Sequence, residues 1–417
     1  MNIYFSGIGG VGLGPLAEIA RDAGHSVRGS DAKDSLTTDE LQERGIPVST
    51  DQSGEYMMYC HAQQPIDWFV YTAGLPDAHP ELLKARELGL HVAKRDELIN
   101  YIIGEKQLRL IAVSGTHGKT TGTAMLVWVM RQLGIPVSFS IGAPTPFSPS
   151  GFFDPHSSFF VYECDEFDRN FLHFTSEVSL VTSLDYDHAD TYPTQADYVE
   201  AFSQFLGKSQ HAILWKRDIS PDLRVPAGAW ALNDNEVMSI TLPGAHNRAN
   251  ATLVAKACQY LQLGQPAAII SALQAFPGTS RRFEKLADNL YSDYGHHPVE
   301  IAATLQMARE VSDHVVLVYQ PHQNVRQHEV RQQYSDCMEL AEEIYWLPTY
   351  LTREDASLPV LSPQQLTENL TNRSIVRYAE LNDELWRSIQ AARNNGKLVL
   401  CMGAGTIDGW VRQQLES

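Results

Sequence analysis

The residues best suited to chemistry gather first around Lys119. In "GTHGKTT", Gly115, Thr116, His117, Gly118, Lys119, Thr120 and Thr121 join the apolar run "LRLIAVS" to a long, helix-like apolar run. A strand that ends in a glycine turn and enters a helix aims backbone N–H groups and the positive end of the helix dipole at one point, which suits a phosphate chain. Lys119 adds a point charge for the outer phosphates, and the Thr120 hydroxyl is a hard oxygen ligand for Mg2+. The longer form of this loop begins with a glycine that would fall at Val113, so the loop is a shortened one.

Two acidic clusters follow it. "YECDEFD" carries Glu163, Asp165, Glu166 and Asp168, and "LDYDHAD" carries Asp185, Asp187, His188 and Asp190, each at the end of a strand-like run. Ligands of open parallel sheets bind outside the carboxyl ends of the strands, so both clusters are expected to converge on the phosphate loop. Their carboxylates suit hard metal ions, and a second ion could also take the imidazole. Further on, "PGAHNRANA" sets His246, Asn247 and Asn250 at a helix start, where the amides either cap the helix or read a purine edge. "TSRRFE" sets Arg281 and Arg282 side by side, a cationic fork for a γ-phosphate. At the start of the chain, "GIGGVG" places Gly7, Gly9 and Gly12 in G-x-G-x-x-G spacing ahead of Asp31. Alone, that pattern favours a nicotinamide dinucleotide; the phosphate loop downstream argues for a different nucleotide.

These groups need elements to hold them. Strands alternate with helices along the whole chain, which predicts α/β architecture with mostly parallel sheets. Three segments are expected: 1–106, with a strand, the glycine turn, a helix over Leu13 to Ala23 and the strands "DWFVYTAGL" and "HVAKRDE"; 107–279, around the phosphate loop; and 280–417, with strands in "HVVLVYQ", "EIYWLP" and "KLVLCMGAG". Their seams fall at "GEKQ" and "FPGTSRR". A chain of 417 residues exceeds one ordinary domain, in keeping with this division. The formal charge of −18 disfavours nonspecific binding of nucleic acid or anionic lipid. No apolar run approaches the roughly 18 residues of a membrane span, and the first residues carry no basic leader, so neither membrane insertion nor export is expected. Five scattered cysteines without a C-x-x-C pair argue against both a disulfide framework and structural zinc.

Taken in order, "GIGGVG", "GTHGKTT", "ECDE", "DHADTYP", "HNRANA", "GTSRRF" and "DYGHHPVE" resemble the ATP-dependent Mur ligase superfamily, nearest to its alanine-adding branch, over essentially the whole chain. The resemblance implies three domains. An N-terminal Rossmann-like domain would hold UDP-N-acetylmuramate, a central P-loop domain ATP, and a C-terminal Rossmann-like domain L-alanine. It implies that Gly7, Gly9, Gly10 and Gly12 approach the uridine diphosphate with Asp31, Thr72 and Arg95 nearby. Lys119 and the Gly115 to Gly118 backbone would hold the ATP phosphates. Thr120 and Glu163 would take one Mg2+, and His188 with Glu163 a second. His246, Asn247 and Asn250 would meet adenine, Arg282 and Asp293 would line the nucleotide, and Tyr294, His296, His322 and Arg326 would face the amino acid and the forming bond. Lys119, Glu163, His188, Arg282 and His296 would be the catalytic groups.

A cytoplasmic monomer or homodimer is implied. One departure stands out: in "PHQNVR", Gln323 replaces an arginine of the family pattern. Between His188 and Gly207 there is no lysine that could be carbamylated as in several sister ligases, which agrees with the alanine-adding branch. The other readings are a recycling ligase that adds an intact tripeptide, a nicotinamide oxidoreductase, and a noncatalytic nucleotide-binding relative.

Overall fold

The computed structural model describes residues 1–72, 74–188, 191–352 and 354–416; Asp190 of the second acidic cluster lies outside the described residues. Among them are three α/β sheets, as the alternating pattern predicts. The first sheet holds β1 (Asn2–Ser6), β2 (Ser26–Ser30), β3 (Val48–Ser49), β4 (Trp68–Tyr71) and β5 (His91–Ala93), all parallel in the order β3-β2-β1-β4-β5. The strand order reverses beside β1, and the glycine turn leaves its carboxyl end, where doubly wound sheets bind ligands.

The second sheet holds β6 (Arg109–Ser114), β7 (Ser138–Ser140), β8 (Gly151–Phe152), β9 (Phe159–Glu163), β10 (Ser176–Val181), β11 (Ser209–Trp215) and β12 (Trp230–Leu232), in the order β12-β11-β10-β6-β9-β7-β8. Its one antiparallel pair is β7 with β8 among the described residues. β6 is buried on both faces, which accounts for the continuous apolar run "LIAV" instead of an alternating one. The helix after the phosphate loop, Lys119–Gln132, is buried nearly all round for the same reason. Since β6 lies between β9 and β10, both acidic clusters leave strands that flank the loop.

The third sheet holds β13 (Glu284–Ala287), β14 (Leu290–Asp293), β15 (Val315–Tyr319), β16 (Glu343–Trp346), β17 (Val376–Tyr378) and β18 (Leu398–Met402), in the order β13-β14-β18-β15-β16-β17, with β13 antiparallel to β14. The chain divides into two compact units, 1–238 with 250–276, and 239–249 with 277–417.

Two elements are shorter than the sequence pattern suggests. "HVAKRDE" is strand only to Ala93, because Arg95–Glu105 is helix; Glu97 in its first turn accepts the Lys94 N–H at 3.0 Å, satisfying a group that the helix start leaves open. β10 ends at Val181, so Asp185 to His188 lie on a loop beyond it.

Candidate active site

The phosphate loop is held from behind. Gly115 has φ +128° and Gly118 φ +83°, conformations that favour glycine. A Cβ on Gly115 would stand 2.6 Å from Thr182 Oγ1, and one on Gly118 would stand 2.9 Å from the Asn250 amide. The segment just beyond β10 supplies the braces: Thr116 N–H donates to Ser183 O (3.0 Å) and His117 N–H to Ser183 Oγ (3.0 Å). Thr116 Oγ1 donates to Asp185 O (2.6 Å) and accepts from Asp185 N–H (2.8 Å). His117 lies 3.8 Å from Asp185, and Thr121 sits half-buried on the first helical turn.

Lys119 Nζ donates to Gly115 O at 2.8 Å and to both Glu166 oxygens at 2.9 and 2.8 Å, with Asp165 at 3.8 Å. Thr120 Oγ1 donates to Glu163 Oε1 at 2.9 Å, and the other Glu163 oxygen accepts the Gly142 N–H at 2.6 Å. Burial lowers the Lys119 pKa, but the carboxylates of Glu166 and Asp165 more than offset it, so the ammonium keeps its charge. Burial pushes Glu163 up against the pull of the Gly142 amide and Lys119. Glu166, whose side chain is fully buried, is pushed up to about 7 by burial, Lys119 only partly opposing.

His188, at φ +59°, lies 3.7 Å from Glu166 and meets the Phe167 ring edge-on. The sequence reading pairs His188 with Glu163; the structure sets it against Glu166. It also sets Asn250 against Gly118 at the phosphate end, whereas His246 and Asn247 belong to the other unit.

At the glycine turn, the residues expected around it are all present. Gly7 (φ +80°) would place a Cβ 2.7 Å from Thr72 Cγ2, Gly9 N–H donates to Asp31 Oδ2 at 2.8 Å, and Gly12 packs against Arg95, whose Nη1 would stand 3.1 Å from an added Cβ. Gly10 N–H closes the turn onto Gly7 O at 3.1 Å. Arg95 also meets Asp96 at 3.4 Å; Asp96 accepts from the buried Tyr162 hydroxyl of β9, and Lys94 pairs with Asp168. Through these contacts the glycine turn and the acidic strand end are tied together within one unit.

The second unit gathers the remaining candidates at the carboxyl ends of β14 and β15. Asp293 accepts the N–H groups of Phe283 (2.8 Å) and Gly295 (2.7 Å), and burial raises it to about 6. Arg281 and Arg282 lie over the Tyr294 ring at 4.7 and 5.2 Å. Glu300 stitches the group together: it lies 3.7 Å from Arg282 and accepts the backbone N–H groups of His296 and His297. His296 Nδ1 faces Tyr294 O at 3.2 Å and its Nε2 meets Arg326 Nη1 at 2.5 Å; the guanidinium can only donate, so Nδ1 carries the ring proton. Burial depresses His296 to about 4, Glu300 opposing it. The ring is therefore neutral, with its lone pair occupied by Arg326. His322 stands 5.4 Å from His296, ring to ring, and stacks on Tyr350. Asn247 donates to Pro243 O at 3.0 Å, and His246 is depressed to about 4 by burial, then by Arg282.

Glu166 and Glu300 were the groups that spacing alone did not single out. Glu166 was one of four acids in a row, with nothing to tell a buried one from an exposed one. Glu300 did leave a signal: proline then glutamate two residues later marks the first helical turn of Pro298–Val311, where a carboxylate collects N–H groups.

Three family models match in succession: the Mur ligase family catalytic domain over residues 2–107, the Mur ligase middle domain over 113–225, and the Mur ligase glutamate ligase domain over 281–405. The UDP-N-acetylmuramate–L-alanine ligase of Renibacterium salmoninarum is 31% identical over 450 aligned positions, spanning 97% of this chain and 93% of that protein. The solved structure of the UDP-N-acetylmuramate-alanine ligase of Thermotoga maritima superposes with a TM-score of 0.79 at 25% identity, covering 100% of this chain and 98% of that one. A murein peptide ligase from Psychrobacter arcticus shares the fold at a TM-score of 0.65 and 23% identity, covering 100% and 98%. With likeness of this extent running through all three sheets, the chain belongs to the Mur ligase family.

Proposed function

We propose that this chain is an ATP-dependent ligase that joins the lactyl carboxylate of UDP-N-acetylmuramate to L-alanine in cell-wall precursor synthesis. The observation that carries the reading is a phosphate loop whose Lys119 and Thr120 reach the strand-end acids Glu166 and Glu163, in a chain matched along 97% of its length by an L-alanine ligase. On this reading residues 1–106 bind the UDP-sugar, 107–279 ATP, and 280–417 the amino acid. We place the enzyme in the cytoplasm, as a monomer or homodimer; no helix of the described residues is long and apolar enough to cross a membrane.

The donor set suits Mg2+. Glu163, Glu166 and the part-exposed Asp165 face one ammonium, so acidic groups outnumber the cation, and burial resists the negative charge at Glu163 and Glu166. Among the described residues no group of three or more His, Cys, Asp or Glu side chains forms a ready-made cage. That fits an ion which keeps waters and takes phosphate oxygens, with one or two carboxylates from the protein. Thr120, Glu163 and His188 would hold it, and when bound it supplies charge neutralisation for the transferring phosphoryl group.

A carboxylate is a poor acyl donor because its leaving oxygen is too basic; phosphorylation of that oxygen by the ATP γ-phosphoryl group, with ADP leaving, gives an acyl phosphate from which the amine displaces phosphate. Lys119 stabilises charge on the outer phosphates, and the Gly115 to Gly118 backbone with Asn250 behind it keeps the loop in register. The glycines at 7, 9, 10 and 12, with Asp31, Thr72 and Arg95, hold the sugar diphosphate. Arg282 and Asp293, with His246 and Asn247, line the nucleotide. Tyr294, His296, His322 and Arg326 receive the amino acid, Arg326 pairing with its carboxylate while His296 orients the guanidinium. Because its lone pair is engaged, His296 is poorly placed to take the amine proton, and His188 is assigned to the metal, which leaves that task to His322.

Coupled ADP release with UDP-N-acetylmuramate and a panel of alanine, glycine, serine and tripeptide tests this. Alanine is expected to give the highest kcat/KM. Turnover with the tripeptide alone would establish the recycling ligase instead.

A further inference from the structure

Between the two histidine-bearing loops of the C-terminal sheet runs a buried chain of hydrogen bonds that belongs to none of the residues assigned above. Gln327 Nε2 donates to His322 O at 3.0 Å. Its Oε1 accepts the Tyr334 hydroxyl at 2.7 Å; that hydroxyl stands 3.0 Å from the Tyr319 hydroxyl, which donates to His296 O at 3.1 Å. Gln327, Tyr334 and Tyr319 are all 0% exposed. The two tyrosine rings are wedged edge-on against Trp346 at 5.3 and 5.1 Å, so their hydroxyls have little freedom to move.

Counting protons shows what the chain can do. Because Gln327 gives its amide N–H to a carbonyl, its oxygen must face Tyr334 and can only accept. Tyr334's single proton therefore goes to Gln327. Tyr319's single proton must then serve both His296 O and Tyr334. Burial raises both phenols well beyond neutral pH, so both protons are retained. Tyr319 is thus the link that joins this chain to the His296 end, while Tyr334 and Gln327 secure the His322 end.

We propose that Tyr319, Tyr334 and Gln327 are positioning residues that fix the spacing of the His296 and His322 loops, and thereby set the affinity of the site for its amine substrate. The inference rests on the reading above that His296, His322 and Arg326 face the incoming amino acid. A brace is useful there because the two rings are only 5.4 Å apart and His296 holds Arg326 through a single ring nitrogen, so a small displacement of either loop misdirects the guanidinium.

The test is steady-state kinetics of Tyr319→Phe, Tyr334→Phe, the double variant and Arg326→Ala, with L-alanine varied at saturating ATP and UDP-N-acetylmuramate, and with thermal unfolding midpoints measured in parallel. Tyr319→Phe is expected to raise KM for alanine about three- to tenfold, the range set by loss of one neutral hydrogen bond. KM for ATP should stay within error. Tyr334→Phe should raise it less, because Tyr319 keeps its proton for His296. The double variant should equal Tyr319→Phe alone at the His296 end, giving less than the product of the single effects. A lower midpoint with unchanged KM for alanine in both tyrosine variants would reduce the chain to a structural role and overturn the proposal. If Arg326→Ala raises KM for alanine and Tyr319→Phe does not, the brace is wrong and the amino-acid site stands. If neither does, the site lies elsewhere and the proposal falls with it.

Discussion

Glu166→Gln should change how the ligand-free protein's stability depends on pH more than it changes stability at any one pH. The folded chain holds Glu166 at about 7 against 4.5 for an unburied carboxyl, burial outweighing Lys119. Facing it are Lys119, Asp165 and His188, with the Tyr192 hydroxyl on its backbone carbonyl. Between those two values the folded state keeps a proton that the unfolded chain has released, so stability is full below the lower value and is lost as pH rises through the upper one. Over that interval of about 2.5 pH units, at about 1.4 kcal/mol per unit, the loss is roughly 3 kcal/mol. Glutamine cannot titrate, and the Lys119 it leaves behind keeps the Gly115 carbonyl at 2.8 Å and Asp165 at 3.8 Å. Urea unfolding of both proteins without nucleotide or metal, from pH 4 to 8, reads the difference directly: wild type should lose roughly 3 kcal/mol relative to the variant. Glu163 is raised too, but it is present in both proteins and cancels. Parallel pH curves would show that Glu166 titrates normally.

Lys119→Ala should abolish ADP release while leaving UDP-N-acetylmuramate binding unchanged by calorimetry; retained turnover would remove the loop from the reaction. Gly7→Ala would force a Cβ to within 2.7 Å of Thr72 at φ +80°. The backbone term alone costs about 1–2 kcal/mol, so UDP-sugar affinity should fall at least tenfold in the same measurement while nucleotide binding is spared. Thr120→Val removes the hydroxyl that meets Glu163 at 2.9 Å; the Mg2+ concentration for half-maximal ADP release should rise severalfold, and an unaltered Mg2+ titration would count against Thr120 as a ligand.

Local signals carried most of the architecture into the sequence. The phosphate loop is legible because each of its parts is short-range: a buried strand, a glycine that must take positive φ, a lysine on the first helical turn. The grouping of Thr72 and Arg95 with the glycines at 7 and 12 came from family resemblance, since no local rule brings residues 65 and 83 positions apart into contact. What stayed illegible was burial within runs of like residues. Among Glu163, Asp165, Glu166 and Asp168, the chain turns sharply through Asp168 and Arg169, both at positive φ, and that turn decides that Glu166 faces inward to Lys119 while Asp168 faces Lys94. The sequence likewise contains Tyr319, Gln327 and Tyr334 without any mark that their polar ends meet, because that depends on how the short helix Asn324–Val330 folds back beside β15.

The two glycine turns show why one motif can serve different nucleotides. In a dinucleotide-binding unit the acid after the second strand reaches the ribose hydroxyls. Here Asp31 spends one carboxylate oxygen on the Gly9 N–H, so it shapes the turn itself. Arg95 stands against Gly12 at the start of the first helix, adding a full positive charge to that helix's N-terminal dipole. A turn stiffened by its own acid and flanked by a guanidinium is suited to a diphosphate carrying no nicotinamide, and Arg95 is also linked through Asp96 and Tyr162 to the strand that ends in Glu163. On the proposed reading, these contacts join the turn that would hold the sugar diphosphate to the strand whose end would face the ATP phosphates, within one unit of the chain.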